Sequence, residues 1–505
     1  MLTDPACYDH PVESLQLVET HISWVVLTGL YAYKIKKPVN LGFLDFSTLP
    51  QREQDCIDEL RLNRRLAADI YLGVVAITGS SFAPRINGSG ETLEFAVKMR
   101  QFPVGATLDH LSARGELNEV QIDALAARLA RFHLFECERA PADSPWGEPE
   151  TIARPVEKNF QLLSSRLEDP AESRCLAALQ SWCRDEHSRL APLMRERKKN
   201  GRVRECHGDL HLANLAWVDG QLVIFDCLEF SPALRWIDVI SEVAFCYMDL
   251  LHRKYAGLAS RFLNAWLEAT GDYQGVALLR YYAVYRALVR AKVAALRAGQ
   301  CSDASASRAE VTGCLQLAHQ LACIPSPFAL PPSLYITHGL SGSGKTTLSQ
   351  NLLQKHGMIR LRSDVERKRL AGLDALAKSG GSVGEGLYTG LSSRRTYEHL
   401  AHLAAGLLTA GWPVIVDAAF LKRWQRDLFR DLTQRTGARF RILDIQADPA
   451  ILRERVRRRE AEGQDASEAD LRVLQHQLET ARPLDADELA VATRLSGTDD
   501  LSSLI

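Results

Sequence analysis

The spacing of apolar residues divides the chain into a first part, where strands come before helices, and a second part, where strands and helices alternate. Short apolar runs predict strands at residues 22–27 and 94–99, and a helical pattern lies between them at about residues 51–68. From Leu117 onward the apolar residues recur at every third or fourth position, which is the period of an amphipathic helix. This pattern predicts a small strand-rich lobe followed by a larger helical lobe, an α+β arrangement.

The second part has a different pattern of apolar residues. Apolar runs predict strands at residues 334–338, 413–416 and 439–445, and a helical pattern covers residues 346–355. Alternation of this kind favours a parallel sheet covered by helices, because parallel strands need crossover connections. The sequence therefore predicts an α/β fold for this part.

A proline-rich segment separates the two parts. Residues 324–333 read Ile-Pro-Ser-Pro-Phe-Ala-Leu-Pro-Pro-Ser, with four prolines in ten residues, and all cysteines lie at or before Cys323. Proline lacks a backbone donor and disfavours helix at the preceding residue, so an extended linker is expected. The predicted organisation is a domain at 1–323 (small lobe about 1–102, large lobe about 103–323), a linker at 324–333 and a second domain at 334–505.

Composition and charge restrict the class of protein. The chain has 61 Lys and Arg against 62 Asp and Glu, so its net charge gives no reason to expect nucleic acid or an anionic membrane as a partner. No apolar run approaches the length of a membrane span, and residues 1–21 lack the basic and apolar regions of a secretory signal. Eleven cysteines without a C-x-x-C pair indicate reduced thiols, with neither structural zinc nor disulfides. A cytoplasmic protein is expected.

One glycine-rich segment fits a phosphate-binding loop in full. Residues 339–346, Gly-Leu-Ser-Gly-Ser-Gly-Lys-Thr, match G-x-x-x-x-G-K-[ST] between a predicted strand and a predicted helix. Glycines let backbone N–H groups approach phosphate oxygens, the lysine reaches the β- and γ-phosphates, and the Thr346 hydroxyl can ligate Mg²⁺. The residues predicted to bind ATP here are Gly339, Ser341, Gly342, Ser343, Gly344, Lys345, Thr346 and Thr347.

Two aspartates follow predicted strands of the same domain. Asp364 comes after the apolar residues 358–361, and it could orient or deprotonate an acceptor hydroxyl or cap the next helix. Asp417 ends the apolar run 414–416, the position of a Mg²⁺-organising carboxylate beside a phosphate-binding loop. Because ligands bind at the carboxyl edge of such sheets, both aspartates are candidate site residues.

Five arginines occur within residues 452–459. Arg455 and Arg459 are four residues apart and share one helix face. They could form a lid that stabilises charge on the transferred phosphoryl group. A solvated surface with ion pairs is the alternative interpretation.

This second domain resembles the P-loop kinases related to polynucleotide kinase, zeta-type toxins and gluconate kinase. The resemblance covers roughly residues 334–505 and rests on the phosphate-binding loop, on Asp364-Val-Glu-Arg367 as a D-x-x-R pattern, on Asp417 and on the arginine-rich segment. It implies that Asp364 contacts the acceptor hydroxyl.

The first domain carries a second constellation, at His207-Gly-Asp-Leu-His-Leu-Ala-Asn214 and Leu222-Val-Ile-Phe-Asp226. A kinase catalytic loop needs an Asp for the substrate hydroxyl, an Asn five residues later for magnesium, and another Asp on a nearby strand. The order of Asp209, Asn214 and Asp226 meets this need, although three polar residues on a hairpin would give the same pattern.

The segment resembles the catalytic loop of aminoglycoside phosphotransferases and related choline or homoserine kinases, whose signature is H-G-D-x-x-x-x-N. The resemblance covers much of residues 20–300 and implies that Asp209 is the catalytic base and that Asn214 and Asp226 bind the metal. His207 and His211 would shape the loop.

A kinase small lobe also needs a lysine for the nucleotide phosphates and a helix glutamate to hold it. Lys34, in an Ala-x-Lys pattern, and Glu59 are the predicted pair, with Lys36 and Lys37 as alternatives for the lysine. Only Gly29 lies near the expected glycine-rich loop, so the phosphates must be covered differently from protein kinases.

The order of the two modules resembles a bacterial family described as bifunctional aminoglycoside phosphotransferase and ATP-binding protein. We therefore expect an ATP- and Mg²⁺-dependent kinase that acts on a small-molecule hydroxyl in one or both modules. The alternatives are an ATP-sensing regulatory protein with one degenerate module, and a nucleic-acid 5′-hydroxyl kinase, which the charge balance disfavours. The acceptor and the oligomeric state do not follow from the sequence.

Overall fold

A computed structural model describes residues 2, 4–20, 22–40, 44–299, 304–323, 332–375, 377, 390–462 and 466–496. The chain forms two compact units, and each contains two segments of the sequence. The first unit comprises residues 1–158 and 187–249, and the second comprises residues 159–186 and 250–505. Most of the predicted linker lies outside the described residues, so the domain boundary at 324–333 stays a prediction.

The first unit is built on a six-stranded antiparallel sheet with the strand order β1-β2-β3-β6-β4-β5. One helix, α1, packs on this sheet around buried Cys56, Ile70, Tyr71 and Val97. The predicted strands and the first predicted helix are confirmed. The elements are β1 (Gln16–Glu19), β2 (Ser23–Leu27), β3 (Tyr31–Lys36), α1 (Leu49–Ala67), β4 (Tyr71–Ser80), β5 (Ala83–Ile86) and β6 (Thr92–Arg100).

Helices and two short antiparallel ribbons follow. The helices are α2 (Leu108–Ala113), α3 (Glu119–Arg131), α4 (Pro149–Ser164), α5 (Pro170–Lys199), α6 (Pro232–Arg235) and α7 (Val239–His252), and a π-helical turn at Phe132–Glu136 follows α3. The strands are β7 (Val203–Glu205), β8 (Leu215–Val218), β9 (Gln221–Ile224) and β10 (Trp236–Asp238). Strand β7 pairs with β10 and strand β8 pairs with β9. These ribbons hold the predicted catalytic segments.

After residues 159–186, which include parts of α4 and α5, the second unit continues with a helical region that contains α8 (Ala256–Thr270), α9 (Val276–Ala298) and α10 (Ser305–Cys323). A parallel sheet with its covering helices comes next. Its elements are β11 (Ser333–His338), α11 (Lys345–His356), β12 (Ile359–Arg362), α12 (Ser363–Leu370), α13 (Gly390–Thr409), β13 (Val414–Asp417), α14 (Arg423–Thr436), β14 (Arg439–Gln446), α15 (Pro449–Glu462), α16 (Leu471–Thr480), α17 (Ala486–Leu489) and β15 (Ala492–Ser496).

All five strands of this sheet are parallel, in the order β12-β13-β11-β14-β15. This arrangement confirms the predicted α/β fold. The carboxyl ends of parallel strands meet at one edge, which here gathers the loop after β11, the start of α12 after β12 and the end of β13. Within the described part of the chain, no helix combines the length and the apolar character that a membrane span requires.

Candidate active sites

The glycine-rich loop after β11 lies close against neighbouring backbone. A Cβ at Gly339 would come within 2.5 Å of the carbonyl oxygen of Ile445, and a Cβ at Gly342 within 2.9 Å of that of Leu452. Gly342 also has a φ of +83°, which side chains other than glycine adopt at a cost. Both positions therefore need glycine, and the loop is held between the end of β14 and α15.

Lys345 begins α11 at the end of this loop and is half-buried among polar groups. Its Nζ donates a hydrogen bond to the carbonyl of Leu340 at 2.8 Å. Burial lowers the pKa of Lys345, and the nearby carboxylates of Asp417 and Asp364 oppose that effect. The Ser343 Oγ is buried in the loop without a hydrogen-bond partner among the described residues. A phosphate group would supply the acceptors that these donors need, so the loop fits one.

A cavity of 1250 Å³ opens beside the loop. The predicted residues on its wall are Ser341, Gly342, Gly344, Lys345, Thr346, Thr347, Asp364, Asp417, Arg455 and Arg459. The structure thus brings together most of the predicted site residues of this domain, whereas Gly339 and Ser343 do not line the cavity. The wall also has Arg367 of the D-x-x-R pattern and Arg458 of the arginine-rich segment, together with three basic residues that the sequence predictions did not include, namely Arg362, Arg394 and Lys422.

Asp364 lies in the first turn of α12 and faces Arg367. The Nη1 atom of Arg367 is 2.8 Å from Oδ1 of Asp364. Burial would raise the pKa of Asp364, but Arg367, Ser467 and other groups hold it below its usual value, so the carboxylate is ionised. The N-cap of α12 is Arg362. The alternative in which Asp364 caps this helix is therefore wrong, because Asp364 is the second residue inside it.

Asp417 is buried at the end of β13. Its Oδ2 lies 3.4 Å from the hydroxyl of Ser349, which can donate a hydrogen bond, and 3.8 Å from Nε of Arg362. It also neighbours Lys345 closely enough to affect the pKa of the lysine. An oxygen ligand at this point, near the Thr346 hydroxyl on the same cavity wall, suits a hard cation such as Mg²⁺.

The arginine-rich segment forms α15, and its two predicted residues reach the cavity. Arg455 donates from Nη1 to the carbonyl of Gly342 at 3.4 Å, and Arg459 from Nη2 to that of Ala469 at 2.6 Å. Both side chains are half-buried. The alternative of a purely solvated face does not describe these two arginines.

In the first unit, Lys34 is the lysine of the small lobe that reaches the catalytic segment. Its Nζ lies 2.9 Å from Oε1 of Glu59 and 2.5 Å from Oδ1 of Asp226. Burial alone would lower the pKa of Lys34, but Asp226 and Glu59 raise it well above its usual value. Of the alternatives, Lys37 points to exposed Glu19, and Lys36 lies in the core.

Lys36 forms the centre of a buried charge cluster that no sequence pattern indicated. Its Nζ is 2.9 Å from Oδ2 of Asp55 and 2.5 Å from Oε2 of Glu59, and it also contacts Glu229. Glu59 thereby joins Lys36 to Lys34 through its two oxygens. Carboxylates outnumber lysines in this cluster, and burial raises the pKa of Glu229 to about 7 although Lys36 acts against it.

The segment from His207 to Asn214 forms a compact loop. The Nδ2 atom of Asn214 donates to the backbone carbonyl of Asp209 at 2.9 Å and to its Oδ2 at 3.1 Å. His211 Nε2 lies 3.4 Å from the same carboxylate oxygen. His207 Nε2 donates to the carbonyl of Phe225 at 2.8 Å, which connects this loop to Asp226. The three predicted residues Asp209, Asn214 and Asp226 are therefore held in one region.

Glu242, on α7, supports this loop through hydrogen bonds. The sequence analysis did not identify this residue. Its Oε1 accepts the backbone N–H of His207 at 2.5 Å and of Gly208 at 2.8 Å, and its Oε2 contacts Nε2 of His133 at 2.7 Å. The potential metal-ligand atoms of His133, Cys206 and Glu242 lie within 4.8 Å of one another. Direct hydrogen bonds already occupy the carboxylate, which favours a structural role.

Two known protein families match separate parts of the chain. Residues 44–279 match the phosphotransferase enzyme family, and residues 334–484 match a family of AAA domains. Uncharacterized proteins of Mycobacterium tuberculosis and Mycobacterium bovis are 30% identical over 459 residues, which is 89% of this chain and 89% of each relative. The two resemblances predicted from the sequence are confirmed.

Solved structures resemble the two parts separately. A choline/ethanolamine kinase family protein from Mesorhizobium loti covers 63% of this chain and 90% of its own, with a TM-score of 0.41 and 11% identity. Amicoumacin kinase, in complex with AMP-PNP, Ca²⁺ and Ami, covers 63% and 90%, with a TM-score of 0.39 and 13% identity. A gluconokinase from Sinorhizobium meliloti covers 34% and 86%, with a TM-score of 0.24 and 19% identity.

Proposed function

Because this chain belongs to the same family as its mycobacterial relatives, with a phosphotransferase domain followed by an AAA domain, we propose that it is an ATP-dependent kinase with two nucleotide-binding modules. Each module transfers the γ-phosphoryl group of ATP to a hydroxyl group of a small molecule. The observation that carries the proposal is the single cavity on which Lys345, Asp364, Asp417, Arg455 and Arg459 meet.

In the P-loop module, Lys345 and the backbone N–H groups of the loop bind the phosphates of ATP. The Thr346 hydroxyl and Asp417 would hold Mg²⁺, which neutralises phosphate charge when bound. Asp364 accepts a hydrogen bond from the acceptor hydroxyl and takes its proton as the oxygen–phosphorus bond forms and ADP leaves. Arg455 and Arg459 stabilise the negative charge on the transferred group.

In the phosphotransferase module, Lys34 anchors the nucleotide phosphates and Glu59 orients Lys34. Asp209 orients the acceptor hydroxyl and accepts its proton, while Asn214 and Asp226 would hold Mg²⁺. The hydrogen bond from Asn214 to Asp209 supports this assignment, because it fixes the base and the metal ligand in one loop. The proposal includes a cytoplasmic location, which the cysteine pattern and the need for ATP support.

The test is transfer of the labelled γ-phosphate of ATP into a bacterial metabolite extract. Wild type is compared with Asp209→Asn and Lys345→Ala, and with matched controls at exposed positions, Asp219→Asn and Lys355→Ala. We expect one labelled product to disappear with Asp209→Asn and another with Lys345→Ala, because each change removes a group used by one module. The masses of the products identify the acceptors.

An ATP-sensing regulator is the second candidate function, and one observation favours it for the first module. The turn between β1 and β2 contains no glycine, and Thr20 closes it with a hydrogen bond from its N–H to the carbonyl of Ser23 at 2.9 Å. Tight binding of Mg-ATP without a labelled product would support the regulator and contradict the kinase. Label that enters RNA or DNA would instead support the nucleic-acid kinase, and its binding should then weaken steeply with salt.

A further inference from the structure

Helix α8 covers the edge of the parallel sheet within the second unit. Strand β12 is the outermost strand on one side, so its outer backbone groups have no strand partner in the described part of the chain. The side chain of Asn264 on α8 takes that place, since its Nδ2 donates to the carbonyl of Met358 at 2.9 Å and its Oδ1 accepts the N–H of Arg360 at 2.7 Å. A buried carboxamide in this position fixes α8 against the strand.

Glu268 lies one helical turn beyond Asn264 and contacts two arginines of the same strand. Its Oε1 is 2.7 Å from Nε and 2.6 Å from Nη2 of Arg360, and its Oε2 is 3.6 Å from Nη1 of Arg362. Charge-assisted contacts of this kind are among the stronger hydrogen bonds in proteins. Glu268 therefore neutralises positive charge on β12.

Both arginines extend from Glu268 to the P-loop site. Arg362 lines the cavity, and its Nε is 3.8 Å from Oδ2 of Asp417. Arg360 reaches Ser349 Oγ at 3.4 Å, and that hydroxyl is itself 3.4 Å from the same oxygen of Asp417. Only one guanidinium thus separates Glu268 from the carboxylate proposed to hold the cation.

The position of Glu268 is fixed by further contacts of α8. Arg261 donates from Nη1 to Oε1 of Gln354 on α11 at 3.0 Å, and Arg369 on α12 donates to the carbonyl of Glu268. The Glu268 side chain is 14% exposed, so water screens it only partly. Its negative charge consequently acts on Arg360 and Arg362 with only partial screening by water.

Removal of the Glu268 charge would change the ion pairing of Arg362. Without Glu268, Arg362 would pair more strongly with the Asp417 carboxylate that it already approaches, and the field of the two arginines would repel a divalent cation there. Since Glu268 lies within the residues matched to the phosphotransferase family, and Asp417 within those matched to the AAA domains, one matched region supplies charge to the site of the other.

We propose that Glu268 is a positioning residue of the P-loop site, which keeps Arg360 and Arg362 neutralised so that the Asp417 carboxylate stays available for a divalent cation. The P-loop module thereby depends on a helix of the phosphotransferase region. This inference rests on the proposed function of the P-loop module, and it deepens that function by assigning part of its metal affinity to α8.

The experiment measures how Mg²⁺ controls binding of a fluorescent ATP analogue to the full-length chain. The signal of the P-loop site is the part that Lys345→Ala removes, and the readout is the Mg²⁺ concentration that gives half of it. We expect Glu268→Gln to raise this concentration roughly five- to tenfold, because one neutralising charge is lost at a partly screened site. The matched control is Glu310→Gln, which breaks a similar ion pair with Arg290 away from the cavity and should change nothing.

Two further variants separate charge from packing. Glu268→Asp keeps the charge, so its half-saturating Mg²⁺ concentration should stay within about twofold of wild type. Arg362→Gln withdraws the competing cation and should lower the concentration, both alone and in combination with Glu268→Gln. If Glu268→Gln fails to fold, Arg362→Gln alone still tests the inference.

The inference is overturned if Glu268→Gln behaves as wild type, if Glu268→Asp is as impaired as Glu268→Gln, or if Arg362→Gln raises the Mg²⁺ requirement. A different result would be that Lys345→Ala removes none of the binding signal of the fluorescent ATP analogue. It would contradict the proposed function of the P-loop module itself, and the inference would fall with it. The two failures are therefore distinguishable.

Discussion

The ammonium group of Lys34 lies 2.5 Å from Oδ1 of Asp226, so the residue proposed to anchor the nucleotide contacts a residue proposed to bind the metal. Asp226 adopts the left-handed backbone conformation, with a φ of +61°, and its N–H donates to the hydroxyl of Tyr71 at 3.0 Å. Aspartate tolerates this conformation better than most residues, and such backbone outliers concentrate at functional sites. The ion pair therefore joins β3 to the segment after β9 at the centre of the candidate site.

The first prediction concerns which lysine binds the phosphates. Lys34→Met should lower the rate of the Asp209-dependent transfer by roughly a hundredfold or more, since it removes the cation that stabilises the phosphates. Lys37→Met is the control, because Lys37 pairs with exposed Glu19 and should leave the rate nearly unchanged. Initial rates with labelled ATP measure both. A rate that falls in Lys37→Met and is unchanged in Lys34→Met would assign the phosphate contact to Lys37 instead.

The second prediction follows from Glu229, which lies in the cluster around Lys36. Burial raises its pKa from an ordinary value of 4.5 to about 7, so the folded state binds this proton more tightly than the unfolded state. The contribution of Glu229 to stability is therefore present below pH 4.5 and is lost as the pH rises through 7. Glu229→Gln removes this dependence.

We compare the free energy of unfolding of Glu229→Gln with that of wild type at each pH. The difference, variant minus wild type, should rise by about 3 kcal/mol between pH 4 and pH 8. Urea unfolding followed by circular dichroism at the two pH values measures the change. The groups that face Glu229 are Lys34, Lys36, Asp55 and Glu59. A constant difference between variant and wild type would show that Lys36 keeps Glu229 ionised throughout.

The sequence predicted those site residues that lie within contiguous motifs. The loop at 339–346 and the segment at 207–214 each place several functional groups within eight residues, so their spacing alone indicates the chemistry. The structure brings those groups to one cavity wall and to one loop. Asp364 shows the limit of such reasoning, because its position as cap or as first-turn residue depended on where α12 begins.

The parts that the sequence did not predict depend on partners far apart along the chain. Lys36 and Glu229 are separated by 193 residues, and Glu268 and Arg360 by 92. Each of these charged residues, taken alone, has the pattern of a solvent-exposed position. Only the folded arrangement of β3 and the segment after β9, or of α8 and β12, makes them buried partners. Local spacing cannot carry this information.

The third prediction tests how tightly the phosphate-binding loop is packed. Gly342→Ala should weaken nucleotide binding at the Lys345-dependent site about tenfold or more and cost about 1–3 kcal/mol of stability, because the new Cβ meets backbone at a strained φ. The control is Gly406→Ala in α13, where a Cβ would meet nothing within 4 Å. That change should stabilise the helix by up to about 1 kcal/mol.

Binding of a fluorescent ATP analogue and thermal unfolding measure both glycine variants. The contrast between them matters more than either value, since both add one methyl group within the second unit. Unchanged nucleotide binding in Gly342→Ala would mean that the loop moves away from Leu452 without loss of function. The close approach to α15 would then play no part in holding the phosphates.

The last prediction concerns the support that Glu242 and His133 give to the loop proposed to carry the catalytic Asp209. Burial alone would lower the pKa of His133, but hydrogen bonds with Cys206 and Glu242 raise it to about 9. The raised pKa means that the charged pair stabilises the fold fully below the ordinary value of 6.5, and that this contribution is lost as the pH rises through 9. Through the N–H groups of His207 and Gly208, the same pair holds the loop that carries Asp209.

We expect His133→Gln to be less stable than wild type at pH 6, and the difference in free energy of unfolding to shrink by about 3 kcal/mol at pH 10. Urea unfolding at the two pH values measures this, and His402→Gln at an exposed position is the control. Because glutamine can still donate a hydrogen bond to Glu242, the variant removes the charge and largely keeps the contact. A difference that does not depend on pH would therefore show that a neutral hydrogen bond, without an ion pair, holds the loop at residues 207–214 in place.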